Sequence, residues 1–234
     1  HGFKGYKDYG MFPWLARMLT EQGQIVHRFN FSHSGMTAGD GPFERPDLFE
    51  QDTWNFQVED LAILTQEFAQ ECLPMTLLGH SRGGVSCLLA TGRGATDVDG
   101  VISLSAPATC NPMPPQIQQE LLRQGFIASP SSRTNQVLHV GRAFLQDQLD
   151  DPDAHDLLPL VNTIDCRILV IHGEVDPTVS VDSAVAIATA GQATTLVRVP
   201  DGDHVYNTPN PFPDTGSPSE QLAAMWTAIQ SWLV

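Results

Sequence analysis

Apolar positions along the chain switch between helical and strand spacing, and the switches predict the elements. Phe12, Leu15, Ala16 and Leu19 recur at helical spacing over roughly 11–22, with Pro13 in the first turn and Gly23 at the end. Gln24–Asn30 reads as a strand, and 31–42 as a loop by its Gly, Ser and Pro content. Trp54, Val58, Leu61, Phe68 and Cys72 mark a second amphipathic helix, roughly 53–72. A short strand at Met75–Leu78, a helix reaching about Thr91 and a strand over 98–104 follow. Pro107, Pro112, Pro114 and Pro115 then break the alternation, and helical patches at 116–124 and about 135–149 precede an acidic turn at 150–153. This stretch is too long for a simple connection. Strands at 167–172 and 194–199, with a helix at 181–190 between them, restore the alternation. Ser217-Pro218-Ser219-Glu220 reads as a capping box for a last helix whose buried stripe is Leu222, Met225, Trp226, Ile229 and Leu233. The expected fold class is α/β, a mostly parallel central sheet flanked by helices on both faces. Its core would comprise 1–105 and 164–234, with 106–163 inserted as a helical cap.

Composition narrows the function. With 41% hydrophobic and 17% charged residues, the chain has the balance of a globular domain, and no apolar run approaches the roughly 18 residues of a membrane span. A net charge of −15 argues against a nucleic-acid partner, which calls for a basic face. Cys72, Cys87, Cys110 and Cys166 are far apart, which argues against a metal cluster or a disulfide framework. They fit a reducing compartment, and a cytoplasmic location is expected. The chain opens on His1-Gly2 with no initiator methionine and no strand before it, so upstream residues are expected, and a signal peptide could lie among them. No D-x-D, H-E-x-x-H or phosphate-binding glycine loop is found, so no metal and no cofactor is called for.

The chemistry centres on Gly79-His80-Ser81-Arg82-Gly83, a G-x-S-x-G sequence between a predicted strand and a predicted helix. Small neighbours let strand and helix approach while the serine takes a strained turn. The helix N-terminus offers free N–H groups to a developing oxyanion. In a parallel sheet the chemistry lies beyond the carboxyl ends of the strands. The strand at 167–172 runs into Asp176, and the strand at 194–199 into a Gly-containing loop with His204. A serine hydroxyl needs a base, and the imidazole needs an anion on its other nitrogen. Ser81, His204 and Asp176 can take these roles. Asp182 reads instead as a first-turn acid of the next helix, and Asp201 and Asp203 as turn residues too near His204 to orient it.

These residues resemble the α/β-hydrolase fold family. The likeness is carried by His1-Gly2, Gly79-His80-Ser81-Arg82-Gly83-Gly84, His172-Gly173-Glu174-Val175-Asp176 and Gly202-Asp203-His204. More narrowly, His1–Asp8 and Arg28–Gly35 resemble bacterial members described as esterases or peptidase-like serine hydrolases. The resemblance implies the order serine, acid, histidine, and its spacing favours Asp176 over Glu174. It implies an oxyanion hole from the backbone N–H groups of Arg82 and Phe3. It also implies that a central strand precedes His1. His80 is expected to pack under the serine, and His1 to brace the oxyanion loop. Solvated or structural roles are expected for Lys4, Lys7 and Asp8, for His33 and Ser34, and for the cap residues Arg133, His139 and Arg142. The expected function is cleavage of small-molecule acyl esters through an acyl-enzyme. A peptidase or thioesterase with the same triad, and a catalytically silent binding protein of this fold, are the alternatives. The sequence leaves the oligomeric state open.

Overall fold

The computed structural model describes residues 1–38, 41–131, 134–212 and 217–234. Arg133 lies outside the described residues. The elements run α1 (Phe12–Glu21), α2 (Pro46–Gln51), α3 (Trp54–Phe68), β1 (Thr76–His80), α4 (Arg82–Gly92), β2 (Gly100–Leu104), α5 (Pro115–Gln124), β3 (Phe126–Ser131), β4 (Gln136–Gly141), α6 (Ala143–Asp150), α7 (Leu157–Asn162), β5 (Arg167–Gly173), α8 (Asp182–Ala190), β6 (Thr194–Val199) and α9 (Glu220–Leu233).

The main sheet has the order β1-β2-β5-β6, and each neighbouring pair is parallel. Side chains alternate across its plane. Ile168 and Val170 face a core that also holds Trp54 and Leu61 of α3, Leu88 of α4, Val161 of α7 and Ile187 of α8. Leu169 and Ile171 face the other way, onto Trp14 and Leu15 of α1 and onto Leu222, Met225 and Ile229 of α9. Both faces are therefore covered, which is why β5 reads as a continuous apolar run. Because all four strands are parallel, their carboxyl ends share one edge, and the loops after β1, β5 and β6 meet there.

Four local expectations differ from the structure. Gln24–Asn30 forms no strand. A strand requires a partner's backbone, and this run is held by side chains instead. Asn30 Oδ1 accepts from the Lys7 N–H at 2.7 Å, Arg28 Nη1 donates to the Lys7 carbonyl at 2.9 Å, and His27 stacks on Phe68. The short helix α2 lies in a region without an expected element. The excursion between β2 and β5 is not wholly helical, because β3 and β4 pair as an antiparallel hairpin, Phe126 opposite Gly141. The expected helix at 135–149 is thus strand β4 followed by α6. Arg142 alone separates them, and Val137, Leu138 and Val140 run into Phe144 and Leu145 as one apolar window.

Finally, α9 starts later than the capping box suggests. Ser219, not Ser217, is the N-cap. Its Oγ accepts from the Leu222 N–H at 3.0 Å and donates to the Tyr206 carbonyl at 2.6 Å. Ser219→Ala is expected to cost about 1 kcal/mol of stability, and Ser217→Ala less than about 0.5 kcal/mol. Urea denaturation midpoints of the two variants check the assignment.

Candidate active site

Ser81 sits between β1 and α4 with φ 54° and ψ −122°. Such a conformation costs a non-glycine residue about 1–3 kcal/mol, so the surroundings must enforce it. Two contacts do. The Ser81 N–H donates to the Leu104 carbonyl at 2.7 Å, which fixes the turn to β2. A Cβ on Gly79 would lie 2.2 Å from the Gly83 carbonyl oxygen, so the turn closes this tightly only with glycine there. Among the described residues the Ser81 hydroxyl makes no hydrogen bond, so its oxygen is not tied to a structural partner.

The loop at 1–5 lies directly on this turn. A Cβ on Gly2 would be 3.0 Å from the Ser81 Cβ, and Gly5 N–H closes a turn onto the Gly2 carbonyl at 2.9 Å. The loop is braced from behind as expected of His1, whose Nε2 accepts from the Phe31 N–H at 3.3 Å while Nδ1 meets the Gly2 carbonyl at 3.1 Å. Phe3 and Arg82 are therefore carried by adjoining backbone, and neither N–H donates to a described residue.

Asp176 and His204 are brought together. His204 Nδ1 is 2.7 Å from Asp176 Oδ2. The Asp176 side chain has 0% exposure, whereas His204 keeps 18%, so the acid is sealed while the ring can be reached. The other carboxylate oxygen, Oδ1, accepts from the N–H groups of Thr178 at 2.7 Å and Val179 at 2.9 Å. Burial alone would raise the Asp176 pKa. Hydrogen bonds from His172, His204 and the Val179 N–H outweigh it and hold the carboxyl well below the ordinary aspartate range. A glycine contact positions the pair, because a Cβ on Gly173 would stand 2.1 Å from the Gly202 carbonyl. The loops after β5 and β6 thus touch backbone to backbone.

His172 is a site residue that sequence reasoning missed. It is fully buried at the end of β5, with Nε2 3.2 Å from Asp176 Oδ2 and 2.9 Å from the Val179 carbonyl. Its spacing from Asp176 is visible in the sequence, but nothing there says that the loop folds the two together. His80 connects the serine turn to the histidine loop. Its Nε2 donates to the His204 carbonyl at 2.7 Å, and the two ring centroids are 4.8 Å apart.

The Arg82 side chain is anchored as well as its backbone. Its Nη2 lies 3.0 Å from Asp52 Oδ2, and its guanidinium faces the rings of Trp54 at 4.8 Å, Phe144 at 4.7 Å and Phe3 at 5.8 Å. Asp52 also accepts from Gln57 Nε2 at 2.7 Å, and Gln57 Oε1 accepts from Ser86 Oγ. Burial raises the Asp52 pKa against the pull of Arg82. Sequence reasoning missed this network, because its members come from separate elements.

Other candidates fall outside the constellation. Glu174 pairs with Arg198 at 3.0 Å. Asp203 Oδ1 accepts from the N–H groups of Val205 and Asn207 within its own turn, and Asp182 accepts from the Ser180 hydroxyl at 3.1 Å in the first turn of α8. Lys7 and Arg28 pair with Asp8 at the surface, and Lys4 Nζ donates to the Pro130 carbonyl at 2.8 Å. His33 stacks on Phe56, Ser34 Oγ accepts from the Met36 N–H at 3.4 Å, and His139 pairs with Glu50 at 3.2 Å. The Arg142 N–H donates to the Gly125 carbonyl at 2.7 Å, closing the hairpin onto α6. Among the described residues no group of three His, Cys, Asp or Glu side chains could hold a metal ion, and no helix is long and apolar enough to cross a membrane.

A family model described as the alpha/beta hydrolase family matches residues 1–224. The chain belongs to that family. No curated protein sequence matches it. Solved structures with this fold include Est1E from Butyrivibrio proteoclasticus with bound ferulic acid, at TM-score 0.71 and 19% identity, covering 100% of this chain and 85% of that one. They include the monoacylglycerol lipase of Paleococcus ferrophilus, at TM-score 0.69 and 14% identity, covering 98% and 91%. Mouse alpha/beta hydrolase domain-containing protein 10 matches at TM-score 0.68 and 18% identity, covering 99% and 86%. At such identities the likeness is one of fold.

The burial of His80 carries a pH dependence. Burial first, and the neighbouring His204 second, push its pKa down to about 3. In the unfolded chain it titrates near ~6.5. Between those values the unfolded state binds a proton that the native state does not, so stability is whole above the upper value and falls as the pH drops. Urea midpoints measured across this window are expected to decline in the wild type and to decline less in His80→Gln.

Proposed function

We propose that the protein is a serine hydrolase that cleaves carboxylic esters of small molecules, with Ser81 as nucleophile, His204 as base and Asp176 as the anion behind it. The observation that carries this reading is the 2.7 Å contact of His204 with a sealed Asp176, on the sheet edge where Ser81 caps a helix. The family and the esterase and lipase among its structural neighbours support it.

Ser81 attacks the ester carbonyl as His204 takes its proton. Asp176 stays ionised and stabilises the imidazolium, and His172 keeps the carboxylate in place. The N–H groups of Phe3 and Arg82 hold the tetrahedral oxyanion, each worth about 3 kcal/mol. His204 then protonates the departing alcohol, and water repeats the cycle on the acyl-enzyme. The excursion at 106–163 acts as the cap over this edge, and Phe144 reaches down to Arg82.

A fluorophosphonate probe is expected to label Ser81, and a p-nitrophenyl ester series to be hydrolysed. Ser81→Ala should abolish labelling and lower kcat by at least about a thousandfold. A folded protein that is neither labelled nor active overturns the reading. Labelling without ester turnover moves the substrate class to amides or thioesters. Asp176→Asn is expected to cut kcat about ten-thousandfold, and Glu174→Gln to leave it within about threefold. Steady-state kinetics on one short ester separates the two acids.

A further inference from the structure

His172 closes a ring of contacts behind the candidate acid. Its Nε2 lies 2.9 Å from the Val179 carbonyl and 3.2 Å from Asp176 Oδ2. A carbonyl and an ionised carboxylate only accept, so Nε2 carries the hydrogen and turns the positive end of its N–H towards both. Nδ1 is buried with no hydrogen-bond partner among the described residues. A hydrogen there would be a buried donor without an acceptor, so the ring is neutral with Nδ1 bare. Both side chains are fully buried, and in such surroundings an N–H dipole beside a carboxylate is little screened.

Holding the carboxylate is a duty that His172 shares. Oδ1 is already fixed by the N–H groups of Thr178 and Val179. The separate effect of His172 is on Oδ2, the oxygen that faces His204 Nδ1 at 2.7 Å. Two other titratable groups against this pair are uncharged. His80 adjoins the His204 ring, and burial pushes its pKa down to about 3. Tyr206 stands near Asp176, and burial raises its pKa. The charges on neighbouring elements are engaged elsewhere. Opposite His172 on β6, Arg198 pairs with Glu174. Asp203 accepts within its own turn, and Asp182 accepts from the Ser180 hydroxyl. His172 is thus the group placed to set how much charge Asp176 presents to His204.

We propose that His172 is a positioning residue that restrains the base: its N–H, set against Oδ2, offsets part of the charge that Asp176 shows to His204, so the His204 imidazole stays unprotonated to lower pH. The inference rests on the reading of Asp176 and His204 as the acid and base of a hydrolase. The two histidines on one carboxylate oxygen then have opposed effects. His204 draws on the charge of Oδ2 when it takes the proton of Ser81, and His172 limits that draw. Loss of the His172 N–H leaves Oδ2 wholly to His204, which stabilises the imidazolium. A residue that only propped the carboxylate would act in the reverse sense, because a slackened carboxylate stabilises the imidazolium less.

The test is the acid limb of kcat/KM against pH, measured with a p-nitrophenyl ester. In His172→Phe, which keeps a ring but has no N–H, the midpoint of the limb is expected to rise by about 0.5–1 pH unit. In His172→Gln, whose amide N–H stands where Nε2 does, it is expected to stay within about 0.2 unit of the wild type. A limb that holds or moves down in His172→Phe overturns the inference. An equal rise in both variants assigns the effect to lost packing rather than to the N–H, and overturns it too. The wild type supplies a measurement that does not depend on either variant folding. Long-range proton–nitrogen correlation NMR is expected to show His172 with a bare Nδ1 and a protonated Nε2, and a hydrogen on Nδ1 overturns the inference. If Ser81 is not labelled by fluorophosphonate, the hydrolase reading fails separately. The effect of His172 is then read from the NMR titration of the His204 ring, assigned with His204→Gln. A higher midpoint in His172→Phe upholds it, and an unchanged or lower one overturns it.

Discussion

The site depends on two places where backbone occupies the volume of a missing methyl group. At Gly79 the incoming strand meets the first turn of α4, and at Gly173 the end of β5 meets the loop after β6. Both approaches are under 2.5 Å from where a Cβ would stand to the opposing carbonyl oxygen. The first bends the chain so that Ser81 projects off the sheet edge. The second sets the separation between the loop holding Asp176 and the loop holding His204. A parallel sheet brings its carboxyl ends to one edge without effort, but only to within the spacing between strands. The closer fit comes from these two contacts.

Once the loops touch, hydrogen bonding fixes the carboxylate. Asp176 accepts from two backbone N–H groups on one oxygen and faces two imidazoles with the other. A buried anion so surrounded has little freedom to rotate. The His204 ring therefore inherits its orientation from an acid that is itself fixed by the turn at 176–179. His80 holds the same loop by its carbonyl, so His204 is gripped at both its side chain and its backbone.

Much of this was legible in the sequence because it is local. A strand, a small-residue turn and a helix announce Ser81 within a dozen positions, and Asp176 and His204 follow directly from the strands before them. Asp182 and Asp203 also do what their positions suggest, one in a helix's first turn and the other within a tight turn. What escaped is what requires distant partners. The strand expected at 24–30 has the right side chains, yet strand formation is a property of pairs. Strand β4 and helix α6 are divided by Arg142 alone, and two periods in one window cannot be told apart by spacing. Asp52, Gln57 and Ser86 surround Arg82 from two different helices and the link before one of them, and no spacing joins them. Ser219 displaced Ser217 as the cap because a tertiary bond to the Tyr206 carbonyl holds its hydroxyl.

Arg82 touches three things at once: its own backbone contributes to the serine turn, while its guanidinium meets Phe3 on the opening loop and Phe144 on α6. The cation is nearly stripped of water and is kept in place by aromatic faces and by Asp52. Lifting α6 away would uncover one of those faces and let solvent reach the charge. The excursion and the serine turn are consequently not mechanically independent. Strain applied to the outer layer is passed through one side chain to the serine turn and the opening loop.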